Sequence, residues 1–310
     1  MSRRGWILFL TVGIVWGFPY LLIKVAVSGF SPLSVVFIRT AIGALLLLPL
    51  VTGRGELGPV LRRWRPLVLF TAVEIAIPWL LLSDAERRLT SSLSGLLVAM
   101  LPLVGALLGW LTGADRDLDA RRLAGLLVGF GGVAILVGFD VGRSDLWAAA
   151  EIALVTIGYA IGPLIVARRL AGVSGTGSVA AALALTAAVY AVPAALAFTH
   201  VSASGSAIAS AVALGIACTA FAFPVFFALI HEAGPVRATV VAYVNPAVAV
   251  LAGVLLLHEP FGPATAAGFA LVIAGSVLAT RRRRTGGPAA PPSPEVAVST
   301  SDAYDAVAPG

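Results

Sequence analysis

Apolar runs long enough to cross a bilayer recur from one end of this chain to the other, and they restrict the fold more than any single motif. Runs such as Ala41 to Leu50 and Val240 to Leu257 do not alternate between apolar and polar residues. A transmembrane barrel would alternate over segments of ~10 residues, whereas a membrane helix needs ~20 consecutive apolar ones. The chain is 59% hydrophobic and 12% charged, which is roughly half the charge that a soluble domain carries. The sequence therefore predicts an all-α membrane protein. Ten spans are expected, at 6–27, 32–51, 66–83, 91–112, 120–139, 146–167, 177–198, 206–230, 237–257 and 261–280.

The connectors carry Gly, Pro, Ser and charge, and their arginines set a direction. With the N-terminus inside, inner segments hold Arg3, Arg4, Arg54, Arg62, Arg63, Arg65, Arg116, Arg121, Arg122, Arg168, Arg169, Arg237 and Arg281 to Arg284. Outer segments hold only Lys24, Arg87, Arg88 and Arg143. The positive-inside bias thus predicts a multi-pass protein of the cell membrane with both termini cytoplasmic. Its +6 net charge is accounted for by these loops, so the expected partner is the lipid bilayer and not nucleic acid. Ala26-Val27-Ser28 gives the first run a slight likeness to a signal peptide, but Lys24 interrupts it where cleavage would fall. Cys218 is the only cysteine, which excludes an intrachain disulfide.

The chain is also written twice. At an offset of 144 residues Pro19 answers to Pro163, Pro49 to Pro193, Pro102 to Pro246, Asp115 to Glu259 and Lys24 to Arg168. The glycines Gly125 and Gly132 match Gly268 and Gly275 at 143, and Pro78 matches Pro224 at 146. Five spans per copy is an odd number, so the second copy enters the membrane from the opposite side. Two inverted five-helix repeats are expected, at 1–140 and 141–280, followed by a basic stop and a disordered cytoplasmic tail at 281–310. Inverted repeats point to transporters with a site near the midplane.

Charges inside a membrane are costly, so each is a candidate for function. Glu74 lies near the middle of the third span and is either a proton carrier or a packing carboxylate. Arg39, two turns into the second span, would bind an acidic substrate group or pair with Glu74. Lys24 is either needed as a lysine or extends to the outer surface. Glu151 reads as a helix-end carboxylate. Trp16, Tyr243 and Asn245 join Glu74, Arg39 and Lys24 as candidate substrate or coupling residues. Pro19, Pro78, Pro102, Pro163, Pro224 and Pro246 are candidate hinges, because each removes a backbone hydrogen bond. Gly125, Gly129, Gly132, Gly268 and Gly275 offer small faces, for internal packing or for a homodimer. The copies differ in their charges: Arg39 meets Leu183, and Glu74 meets Ala220 in the register of the prolines.

Trp16-Gly17, Lys24, Pro32 and Arg39 resemble the opening of an EamA repeat in the drug/metabolite transporter superfamily. Asn245-Pro246, the Leu-rich run to Glu259, and Gly268 with Gly275 resemble its ending, and Pro102, Asp115, Gly125 and Gly132 repeat that ending in the first half. Asp115 stands where the family has Glu, and Tyr159 to Gly162 where it has Trp-Gly. The resemblance covers about 5–280 and implies carriage of a small metabolite or drug by alternating access, often as export. Asp115 and Glu259 close spans at opposite faces and read as helix-end or gating groups. No cofactor or metal site is expected, since His200, His231 and His258 are scattered and no Walker-type loop occurs. The rival class is an integral membrane enzyme acting on lipid. The expected cavity is lined by spans one, three, four, six, eight and nine.

Overall fold

The computed structural model describes residues 1–112, 119–140, 145–198 and 203–280. Asp115 and the tail at 281–310 lie outside the described residues. Those that are described form helices and no strand. Among the described residues, nine helices are long and apolar enough to cross a membrane. They are span one (Arg3–Ala26), two (Pro32–Gly53), three (Trp64–Ala85), four (Ser91–Leu111), five (Ala120–Gly138), six (Leu146–Arg169), seven (Gly175–Ala197), eight (Gly205–Ala233) and ten (Pro263–Thr280). Span nine (Val241–Leu257) is apolar but shorter. Every expected span is present.

Hydroxyl side chains start many of these helices. Ser2, Ser31, Thr90, Ser174 and Ser204 each accept the amide of a residue three positions on. Such caps satisfy amides that lipid cannot. Ten crossings place residues 3 and 280 on one face, here the termini face. The opposite, far face carries the junctions of spans one–two, three–four and nine–ten.

The packing follows the duplication. Span two lies on seven, four on nine and five on ten, each beside its own repeat mate. Span three lies on six while one lies on eight, and these two pairs exchange when the repeats are swapped. This is the arrangement of two inverted five-helix repeats. The surface is inverted relative to a soluble protein: Leu45, Leu127, Val192 and Leu196 are among the most exposed side chains and face the lipid.

Lipid tails are as apolar as leucine, so helices here associate through close fit more than through water exclusion. The seam of spans five and ten illustrates this. A methyl group at Gly132 would lie 2.7 Å from the Gly268 carbonyl oxygen, and one at Gly125 would lie 2.9 Å from that of Gly275. A methyl group at Gly275 would strike the backbone of Gly129. The glycine faces considered above for a homodimer are therefore filled by one another within a single chain. Gly275→Ala should cost about 1–3 kcal/mol through overpacking, read as earlier thermal unfolding in detergent. Gly131→Ala, on span five beside this seam but facing open space, should leave the unfolding midpoint unchanged.

Candidate functional site

Proline decides where the site forms. A proline at position i leaves the carbonyl of residue i−4 without its helical partner. Pro19 does this to Val15, and span one breaks between Val15 and Pro19. Two bonds from span eight close the break. The Cys218 thiol donates to the Val15 carbonyl (3.4 Å), and the Trp16 indole N–H donates to the Cys218 carbonyl (3.2 Å). Span four breaks in the same way at Ala99–Met100, just before Pro102. Their repeat mates Pro163 and Pro246 sit inside unbroken helices. Of these four prolines, only the two in the first repeat coincide with helix breaks.

Spans three and eight share a different device. Each widens into a π-helical turn just before its proline, at Thr71–Ala76 ahead of Pro78 and at Ile216–Phe221 ahead of Pro224. Such turns often mark functional sites. The two turns correspond at an offset of 145 residues, which corrects the proline register by one. Glu74 then answers to Thr219, not Ala220.

Between these irregular segments lies a cavity of about 270 Å³. Aromatic rings form much of its wall: Trp16, Tyr20, Trp79, Tyr159, Phe223 and Phe226. Trp16 packs on Phe226 with ring centroids 4.7 Å apart and edge-on to Phe223 at 5.4 Å. Only a few polar groups converge on this wall, the usual composition of a small-molecule site. The lining draws on all six expected spans, and span two adds Arg39. Its residues on spans six, eight and nine lie in the halves nearer the termini face and most of those on spans one, two and three in the halves nearer the far face, so the cavity sits near mid-membrane.

Glu74, Arg39, Trp16 and Asn245 come together here, as do Pro19, Pro163 and Pro246. Glu74 rises from its π turn against Gly162, where any larger residue would collide with the carboxylate. Its Oε2 is buried and has no hydrogen-bond partner. Arg39 is 6% exposed. Its Nε donates to Thr219 Oγ1 at 2.9 Å, and its guanidinium carbon lies 3.5 Å from the centre of the Trp79 ring. Thr219 in turn donates to the Leu214 carbonyl (2.8 Å), five residues back in the π turn. Arg39 therefore takes Thr219 and Trp79, not Glu74, as its partners. The Asn245 amide nitrogen donates to the carbonyls of Val241 and Gly13, each at 3.1 Å, tying span nine to span one.

Lys24 and Tyr243 lie apart from this group. Lys24 Nζ donates to the carbonyls of Glu86 and Leu89, both at 2.8 Å, and so holds the far-face end of span three. The Tyr243 hydroxyl meets Thr280 Oγ1 at 3.3 Å, beside the end of span ten. Glu259 accepts the amides of Ser91 (2.7 Å) and Ser92 (2.9 Å) at the start of span four, with both hydroxyls. A carboxylate on a helix N-terminus is favourable. Glu151 accepts from Arg88 at 2.7 Å, and Arg88 also holds Asp84 at 2.6 Å. No group of acidic, His or Cys residues that could hold a metal occurs among the described residues.

The aromatic wall was overlooked in the sequence, yet it carries a signal. Tyr20, Trp79 and Phe223 each adjoin an intraspan proline, which turns a ring toward the freed space.

A polytopic carrier with a midplane cavity between inverted repeats is the class that these features define. The sequence profile of the EamA-like transporter family matches residues 3–138 and 146–281, and the chain belongs to that family. The chain is 27% identical over 274 residues to the "Uncharacterized inner membrane transporter YedA" of Escherichia coli (strain K12), covering 86% of this chain and 87% of that one. It is 22% identical over 274 residues to the "Uncharacterized transporter YvbV" of Bacillus subtilis (strain 168), covering 87% and 90%. A solved crystal structure superposes with a TM-score of 0.66 at 22% identity, over 90% of this chain and 98% of that one, and so shares the fold. The protein is a membrane transporter and not an enzyme.

Arg39→Lys tests the packing of the cavity floor. A lysine cannot keep both the directed bond to Thr219 and the stacked contact with Trp79. The substitution should lower stability by about 2 kcal/mol, measured as a shift in the detergent unfolding midpoint.

Proposed function

We propose that this transporter is a secondary carrier that exports a small organic solute from the cytoplasm by alternating access, with both termini cytoplasmic. The observation that carries this reading is the single unpartnered carboxylate of Glu74 in an aromatic-walled cavity. A buried carboxylate without a protein partner needs a proton, a cation or a cationic group of the cargo. Arg39, stacked on Trp79, supplies a positive group in the same wall. Its partners leave no carboxylate of the protein to neutralise it, so an acidic group of the cargo fits there. The aromatic faces take the apolar body of the solute.

The repeats at 1–140 and 141–280 rock against each other. The broken spans one and four supply the bending, and the π turns of spans three and eight carry Glu74 and Thr219 with them. Asp115 and Glu259 act as helix-end groups at opposite mouths. Coupling to protons runs through Glu74, because binding of a proton and of a cationic cargo at one carboxylate is mutually exclusive.

Purified protein in proteoliposomes, offered a panel of small metabolites and drugs with and without an imposed pH gradient, tests this. The native protein should accumulate at least one solute in response to the gradient. Glu74→Gln should reduce gradient-driven uptake to background while leaving downhill exchange measurable. Equal gradient dependence in both proteins would remove Glu74 as the coupling group.

A further inference from the structure

Glu86 stands in a short charged run with Asp84, Arg87 and Arg88, yet it is turned away from solvent. Glu86 is 0% exposed, directly beyond the far-face end of span three. Neither oxygen of its carboxyl group has a hydrogen-bond partner. The neighbouring charges are accounted for: Arg87 and Arg88 hold Asp84, and Arg88 also holds Glu151. No arginine of its own loop is turned to Glu86.

The groups that face it come from each element packed around it. Span one contributes Lys24, whose ammonium is committed to the Glu86 and Leu89 carbonyls, and the Tyr20 phenol. Span four contributes Ser94, whose buried hydroxyl faces the Glu86 carboxyl and favours its ionised form. The nine–ten junction contributes Glu259, another negative charge. Burial drives the Glu86 carboxyl well above the usual carboxylate range. Lys24 and Ser94 pull against that, and Glu259 adds to it.

This position lies between the cavity and the far face. Tyr20 and Leu82 both line the cavity, and the Glu86 amide donates to the Leu82 carbonyl at 3.0 Å. On its outer side the start of span four is clamped by Glu259 through four hydrogen bonds. The far face is therefore shut over Glu86.

We propose that Glu86 is a second proton-binding site of the transporter, occupied by a proton when the far face is closed and emptied when it opens. The proposal rests on the alternating-access reading given above. A buried carboxyl with no partner is stable when neutral, and ionisation requires water. Opening the far face between spans one, three and four would hydrate it. The proton is thus bound more tightly in the closed state. Lower pH favours closure, and closure weakens as pH rises through the carboxyl's value in the closed state. A proton arriving from the far side would close that side behind it. The site differs from Glu74, which lines the cavity itself.

The test needs no cargo. In a Cys218→Ser background, spin labels at Arg87→Cys and Phe261→Cys, both exposed side chains, report the separation of the three–four and nine–ten junctions. Distance distributions are measured in lipid nanodiscs from about pH 5 to about pH 9. The parent should show a short-distance population that gives way to a longer one as pH rises. The ratio should move by about tenfold for each pKa unit by which the two states differ. Glu86→Gln should hold the short distance throughout, and Glu86→Asp should restore the pH response. Three results would overturn the proposal: a pH-independent distribution in the parent, an unchanged pH response in Glu86→Gln, or loss of the response in Glu86→Asp as well. Transport in the proteoliposome assay is decided separately, so a failure here leaves that reading standing.

Discussion

Lipid offers no hydrogen bonds, so each backbone group that a proline releases inside the bilayer must be answered by the protein or by whatever fills its cavity. The structure is organised around that requirement. Pro19 frees the Val15 carbonyl, and Cys218 takes it while Trp16 returns a bond to the Cys218 carbonyl. The thiol and indole thereby fasten the break in span one to the π turn of span eight. The same π turn presents Thr219 to Arg39. One exchange of bonds thus fixes the hinge, shapes an aromatic wall and anchors the basic group of the site.

The duplication then explains why the site is one-sided. Both copies retain the π turn, but only the first converts its prolines into helix breaks, and only the first carries a carboxylate in the turn. Thr219 stands where Glu74 would be repeated, and it serves the first repeat's arginine. Leu183, the mate of Arg39, is wholly buried among apolar side chains. Span pairs two–seven, four–nine and five–ten keep the symmetry of the duplication, while the polar chemistry is gathered in one half.

Span positions, the inverted pairing and the convergence of four of the six candidate residues on one cavity were legible in the sequence. Run length and an odd span count decide the first two, and intramembrane charge or a family motif marks Glu74, Arg39, Trp16 and Asn245. Lys24 and Tyr243 were misplaced because sequence distance along a helix does not tell which face a side chain takes, and both end on neighbouring helix termini. Glu86 was the larger surprise. In a run of Asp84, Glu86, Arg87 and Arg88, charge alone gives no sign of which residue turns inward. Helical spacing decides it: Arg87 and Arg88 stand three and four residues after Asp84 and pair with it, and Glu86 is directed into the junction of spans one and four. The register of the π turns was equally hidden, since Pro78 stands two residues after its turn and Pro224 three after its own.

The account stands on the cavity being open to each side of the membrane in turn. With Cys218→Ser as background, a single cysteine at Leu101, in the cavity wall, reports this directly. A membrane-impermeant thiol reagent is applied to right-side-out and to inside-out vesicles. The account predicts labelling from both sides, with protection of one side when a pH gradient biases the protein toward the other. Labelling from one side only, under every gradient and solute condition, would contradict it.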